Sequence, residues 1–293
     1  MSKLNLHPDM HIGNAKLLQL LGRGESGEVW SALTHKEAVV ALKIYKGEDE
    51  VKAKAEYEYN MACSFKHDNI IRPSAISSYA SHPIITLPYC EGRSVDGIAA
   101  HFSEVMIWKL IQNISSALSE IHQSGYAHLD VKPSNILWDG QKFILSDFGA
   151  CTKLGNITPS DTATDTSSYK FDAPELNNQP HSASDIWSLG ATVFYLYMGC
   201  YVFNGLGGRA QHNDSPLPYM RKSLPVLSKL VQECLSYNYT QRPTAVQIFK
   251  TAVEECRRLE TIPIVRKIRQ EINKNTKSSN ADFWSDDMIE TLT

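Results

Sequence analysis

No two of the six cysteines (Cys63, Cys90, Cys151, Cys200, Cys234 and Cys256) stand in a CxxC pair or at Cys/His ligand spacing. That spacing speaks against a disulfide framework and a thiolate-held metal, and favours reduced thiols in a cytoplasmic setting. Neither sign of charge dominates. Lys plus Arg total 29 against 32 Asp plus Glu, a formal charge of -3, so no global basic field draws in nucleic acid. The opening residues MSKLNLHPDMHIG lack a charged and then apolar stretch, so no secretory signal is read and export is not expected. Internal repeats are also missing. What is present is ordinary globular composition, 42% apolar and 21% charged over 293 residues, enough for a substantial core and roughly two lobes.

One uncharged run is long enough to mislead. Ile186 to Phe203 spans 18 residues, the length of a membrane-span candidate. It contains Ser188, Gly190, Thr192, Gly199 and three tyrosines, without flanking Lys/Arg clusters. A buried helix of a large lobe is the preferred reading, and no membrane association is expected.

Residues 16 to 45 show three β-type runs, KLLQLLG, EVWSAL and AVVALKIY, split by a Gly-rich turn and by Thr34 to Glu37. DEVKAKAEYEYNMACSF, residues 49 to 65, lacks Gly and Pro and reads as a helix. Two more strands are expected near 74 to 80 and 83 to 88. From about residue 91 helical spacing takes over, first in the segment ending near Gly125, with Val105, Ile107, Trp108, Ile111, Ile114, Leu118 and Ile121 as its apolar positions. It recurs after Ser182, around Leu224 to Leu235 and around Thr244 to Leu259. The expected organisation is a first lobe over 16–90, a mostly helical second lobe over 91–262, and a tail over 263–293 that is partly disordered or docks. That tail collects Arg266, Lys267, Arg269, Lys274 and Lys277, then Asp282, Asp286, Asp287 and Glu290. Val265, Ile268 and Ile272 would share a helical stripe, and Phe283-Trp284 with Met288-Ile289 are its docking candidates.

Three motifs carry chemistry. Gly22-Arg23-Gly24-Glu25-Ser26-Gly27-Glu28-Val29 fits GxGxxGxV, but EVWSAL continues it as a strand, so the glycines shape a hairpin lid over phosphates rather than a helix-opening dinucleotide turn. Within Ala38 to Ile44, a lone lysine, Lys43, shares a strand face with Ala41 and would reach phosphates under that lid. It needs a carboxylate to hold it, Glu58 or Glu56 on the following helix. In Tyr126 to Leu137, Asp130, Lys132 and Asn135 would set a proton acceptor, a cation and a metal-binding amide around one phosphoryl group. Asp147-Phe148-Gly149 follows, with Asp147 a second oxygen ligand suited to Mg²⁺.

Together with Ala173-Pro174-Glu175, the run Asp185 to Gly190, and Arg242, these motifs resemble the eukaryotic-type protein kinase superfamily over about residues 16 to 259. The resemblance implies an α+β bilobal fold, with a small antiparallel β-sheet lobe bearing one main helix and a larger helical lobe. It favours Glu58, nine residues before His67, as the partner of Lys43, and pairs Glu175 with Arg242. It implies ATP and Mg²⁺ as cofactors. The nucleotide would be lined by Leu21, Gly22, Gly24, Gly27, Val29, Ala41, Leu87, Tyr89, Cys90 and Leu137, with backbone contacts at Pro88 to Cys90. Lys43 would grip phosphates, Asp130 and Lys132 would be catalytic, and Asn135 and Asp147 would hold the metal.

Lys132 two residues after Asp130 resembles serine/threonine kinases, so Ser or Thr hydroxyls of protein substrates are the expected acceptors. A monomer or transient dimer is expected. Ser168 and Phe171 stand where those kinases usually have Thr and Tyr. Leu129 stands where most regulated kinases have an arginine that binds an activation-loop phosphate. Activity independent of loop phosphorylation is therefore expected, although Thr158, Ser160, Thr162, Thr164, Thr166, Ser167 and Ser168 all lie between Asp147 and Glu175.

Overall fold

The computed structural model describes residues 5–24, 26–47, 49–91, 94–96, 102–155, 168–176, 180–213, 215–217, 220 and 224–276, without the side chains at 49, 50, 168, 262 and 264–276. Its first lobe is a six-stranded antiparallel sheet in the order β1-β2-β3-β4-β6-β5. The strands are β1 (His11–Ile12), β2 (Ala15–Arg23), β3 (Gly27–Thr34), β4 (Val39–Tyr45), β5 (Ala75–Tyr79) and β6 (His82–Pro88), with α1 (Asp49–Ser64) between β4 and β5. Strand periodicity divides the residues between two faces. Trp30, Leu42, Ile44, Ile84, Leu17 and Ile12 bury one face. On the other, Tyr45 and Ile85 pack with Ala55 of α1.

The second lobe is built on α2 (Glu104–Gln123), α3 (Ser182–Met198), α4 (Pro225–Cys234) and α5 (Ala245–Thr276). Ser103 caps α2 by accepting from Met106 N at 3.3 Å, satisfying one of the donors that a helix start leaves free. The buried stripe of α2 runs from Ile107 to Ile121, whereas Val105 is exposed, one turn too early to face the core. α3 takes up the uncharged run only from Ile186 to Met198, with Asp185 in its first turn, and most of it is buried; Gly199 ends it in a left-handed conformation (φ +71°), short of Phe203. Gly190 explains how closely α4 lies against it: a Cβ there would come within 2.7 Å of the Cys234 Cβ. Among the described residues no helix is long and apolar enough to cross a membrane.

The bilobal α+β architecture implied by the resemblance is the one observed. Two pieces of sheet in the second lobe were not read from the sequence: β8 (Ile136–Trp138) pairs with β9 (Phe143–Leu145), and β7 (Tyr126–Ala127) with β10 (Thr152–Lys153). Strands of two or three residues are too short to display an alternation. α5 opens with a reciprocal cap, Thr244 N donating to Gln247 Oε1 at 2.7 Å and Gln247 N to Thr244 Oγ1 at 3.3 Å. It then runs to Thr276 through Pro263, further than the pattern ending at Leu259. The docking candidates Phe283-Trp284 and Met288-Ile289 lie outside the described residues, as do Thr158, Ser160, Thr162, Thr164, Thr166 and Ser167.

Candidate active site

The site lies where β2 to β4 of the first lobe face the loops around β7 to β9 of the second. Register puts Val29 opposite Lys43, Lys43 opposite Ile85, and Ala41 opposite Leu87. Directly paired residues share a face, so Val29, Ala41, Lys43 and Leu87 all point the same way. The lid is a tight hairpin: Gly24 N donates to Gly27 O at 2.9 Å, and Gly22 pairs with Val29. Gly27 must be glycine, because a Cβ would sit 2.1 Å from the Ile44 carbonyl oxygen. Gly22 and Gly24 are exposed with open space around them among the described residues. Leu21 is half-buried at the base of the lid.

On the opposite side, Leu137 packs on the main core and is bridged by Ser94. Leu87 touches both the main core and the cluster under α1, so it spans the two lobes. Tyr89 is half-buried, and Cys90 is buried, which pushes its thiol up to about 11 and leaves it unreactive.

Lys43 is the hub of the first cluster. Its Nζ lies 2.8 and 2.7 Å from the two Glu58 oxygens and 3.1 Å from Asp147 Oδ1. Glu56, the alternative partner, is exposed and 4.0 Å from Lys52. Burial alone would favour the neutral amine, but the charges of Asp147 and Glu58 outweigh it, so the Lys43 pKa is raised well above its ordinary value. Tyr45, two residues along the same face, donates its hydroxyl to Glu58 Oε2.

For Asp147, burial pushes the pKa up, yet Lys43 and then Lys132 pull harder and the net direction is down. Its placement depends on Phe148, buried against His128 at 4.9 Å and Phe65 at 5.7 Å between ring centres.

The second cluster joins Asp130, Lys132 and Asn135. Lys132 Nζ is 2.9 Å from Asp130 Oδ2, and Asn135 Nδ2 donates to Asp130 Oδ2 at 2.8 Å and to the Asp130 carbonyl at 2.9 Å. The two clusters are tied together through backbone: the Asn135 carbonyl accepts from Ser146 N at 2.8 Å and Ser146 Oγ at 2.9 Å, immediately before Asp147. Asn135 thus uses its NH₂ group on Asp130 and has its side-chain oxygen for a cation. An amide oxygen with one carboxylate suits Mg²⁺, which takes few protein ligands and completes its shell with phosphate and water. Among the described residues no cluster of three His, Cys, Asp or Glu exists that would hold a metal unaided.

Asp130 is aimed by residues distant in the chain. Leu129 has φ +62°, a left-handed conformation uncommon for leucine. Asp185 holds that turn, its oxygens accepting from His128 N at 2.8 Å and Leu129 N at 2.7 Å, with His122 Nε2 a further 2.8 Å away. The Leu129 side chain packs with Ala127, Leu176, Ala150 and Leu154. Below the site, Arg242 meets Glu175 through two contacts of 2.6 and 2.9 Å. Sequence reasoning assigned no role here to Tyr45, Tyr57, which donates to the Cys151 carbonyl at 2.6 Å, or His122. Only Tyr45 left a signal, at i+2 from Lys43 on a strand.

Comparison with known proteins agrees with this geometry. Residues 15–253 match the family model for the protein kinase domain. The chain is 27% identical over 240 residues to the cytokinesis protein sepH of Aspergillus terreus, covering 78% of this chain and 18% of that protein. It is 30% identical over 244 residues to calcium-dependent protein kinase 5 of Plasmodium berghei, covering 76% and 42% respectively. MAP3K epsilon protein kinase 1 of Arabidopsis thaliana is 27% identical over 264 residues, covering 84% and 19%. The chain thus spans less than half the length of each of these relatives.

Proposed function

Because the chain belongs to the protein kinase family, we propose that it transfers the γ-phosphoryl group of Mg-ATP to Ser or Thr hydroxyls of protein substrates. The observation that carries this reading is Lys43 held simultaneously by Glu58 and Asp147, a buried cation presented to the space beneath a glycine hairpin. Phosphoryl transfer needs little covalent chemistry from the protein. Catalysis is alignment plus charge stabilisation.

In this reading the Asp130 carboxylate, fixed by Asn135 and Lys132, orients the substrate hydroxyl and accepts its proton. Lys132 neutralises charge developing on the transferred group, and Lys43 fixes the phosphates behind it. Asn135 Oδ1 and the Asp147 carboxylate would hold Mg²⁺, which supplies charge neutralisation on the phosphates. Leu21, Val29, Ala41, Leu87 and Leu137 bound the apolar slot for the adenine, and the backbone from Pro88 to Cys90 supplies its polar contacts.

Activity independent of loop phosphorylation is part of the same proposal. Its support is the apolar cluster around Leu129: a leucine side chain offers no charge-assisted hydrogen bond to a phosphate. We also place the protein in the cytoplasm, on the six unpaired thiols. Transfer of labelled phosphate from Mg-ATP to a generic protein substrate tests the activity, with Asp130→Asn as the control. Equal incorporation by both proteins would overturn it. Phosphatase treatment is expected to leave the rate unchanged; a loss beyond about tenfold, roughly 1.4 kcal/mol of barrier, would reject the phosphorylation-independent reading.

A further inference from the structure

The glycine hairpin is held unevenly. On its β3 side Gly27 is wedged against the Ile44 carbonyl, and Lys46 N donates to Ser26 O at 2.9 Å. On its β2 side Gly22 and Gly24 are exposed, and a Cβ added at either would find open space among the described residues. Beyond the hairpin's own backbone bonds, a carboxylate ties down the tip of that arm. Glu28, directly across the ladder from Arg23, is buried; it accepts a hydrogen bond from Trp30 Nε1 at 2.9 Å and forms ion pairs with Arg23 Nε at 3.2 Å and Lys46 Nζ at 3.0 Å. Alternation places Glu28 on the sheet face opposite Val29, so it lies outside the cleft and touches no reacting atom.

We propose that Glu28 is a positioning residue for the nucleotide, fixing the height of the lid by clamping Arg23 of the exposed arm to Lys46, just past the end of β4. The inference rests on the nucleotide-binding reading above. A buried carboxylate is retained only when it is well partnered, and here Trp30 and Lys46 hold it in place on the rigid side. The contact to Arg23 ties down the exposed β2 end of the hairpin. Burial pushes the carboxyl up, but the Trp30 and Lys46 contacts bring its pKa below the ordinary value, so the clamp is charged at neutral pH.

Two effects of removing the charge oppose each other. Loosening the arm raises the nucleotide KM. Leaving Arg23 and Lys46 uncompensated adds positive field near the phosphates and lowers it, but that field acts through solvent and is screened within about 8 Å at physiological salt.

The test uses the full chain: KM for ATP, kcat and binding of a non-hydrolysable ATP analogue for the wild type, Glu28→Gln, Arg23→Ala and the double variant, at low and high salt, with Tm as the fold control. Glu28→Gln is expected to raise KM and the analogue Kd about fivefold at high salt, with kcat within about twofold. Arg23→Ala should do the same, and the double variant should be no worse than either alone, because both break one clamp. Amide hydrogen exchange at residues 22–24 should quicken in Glu28→Gln while β4 stays protected. Additive effects, an unchanged Kd, or a KM that falls at low salt and returns at high salt would overturn the proposal. A wild type that binds no ATP analogue would instead remove the functional reading beneath it. If Glu28→Gln unfolds, Arg23→Ala carries the test, since its exposed side chain contributes little to the core.

Discussion

Replacing Glu58 by Gln, beside the same change at Glu56, isolates the lysine clamp. The two glutamates lie two residues apart on α1, so propensity and net charge change equally, but only Glu58 faces the sheet. In Glu58→Gln the Lys43 ammonium loses the negative charge behind its contacts of 2.8 and 2.7 Å, with one of those oxygens replaced by a donor NH₂, and keeps the 3.1 Å contact to Asp147. Breaking one partner of a buried pair costs about 3 to 5 kcal/mol when nothing replaces it. Asp147 remains, so roughly 2 to 3 kcal/mol is the better figure. If that loss falls on the transition state, it corresponds to about 30- to 150-fold in kcat/KM. Glu56 is exposed and 4.0 Å from Lys52, and its substitution should change the rate by less than about twofold. The assay is initial-rate phosphate transfer to a generic protein substrate over a full ATP titration, with thermal melts to show that both variants fold. Equal rates for the two variants, or a drop below about threefold in Glu58→Gln, would refute the reasoning.

Glu175→Gln should be among the most destabilising single changes in the second lobe. It removes the counter-charge of the buried Arg242, leaving it neutral acceptors, the new amide oxygen and the carbonyls of Ser236, Ala183 and Tyr237, costing about 3 kcal/mol and lowering Tm by roughly 6 to 12 °C in a melt. Gly27→Ala should destabilise through its clash with the Ile44 carbonyl, while Gly24→Ala should leave Tm unchanged; a reversal of that order in parallel melts would contradict the register. Burial lowers the pKa of His128, as it does that of His67. Below about pH 6.5 the unfolded chain therefore binds protons that the folded chain refuses. Stability should fall with decreasing pH in that window, by up to about 1.4 kcal/mol per pH unit per group. Urea titrations between pH 7.5 and 5 should show that slope, reduced in His128→Gln; no change in slope would count against a neutral buried imidazole.

The linear sequence determined every element whose cause is local. Alternation in AVVALKIY made a strand with Lys43 and Ala41 on one face, the lack of Gly and Pro in residues 49 to 65 made α1, and the uncharged run after Asp185 made a helix with no polar face to expose. It also determined the chemical inventory of the site, because Asp130, Lys132 and Asn135 lie within six residues of one another. Tertiary structure alone decided the partnerships. Lys43 and Asp147 meet across 104 positions of chain, and the Leu129 turn is held by Asp185, 56 residues later. Spacing in sequence carries no information about such pairs. Choosing Glu58 over Glu56 required a resemblance, since both lie on one helix and only packing shows which turns inward. The three contacts of Glu28 were invisible for a similar reason: a glutamate in a strand reads as solvated until the fold is seen to bury it.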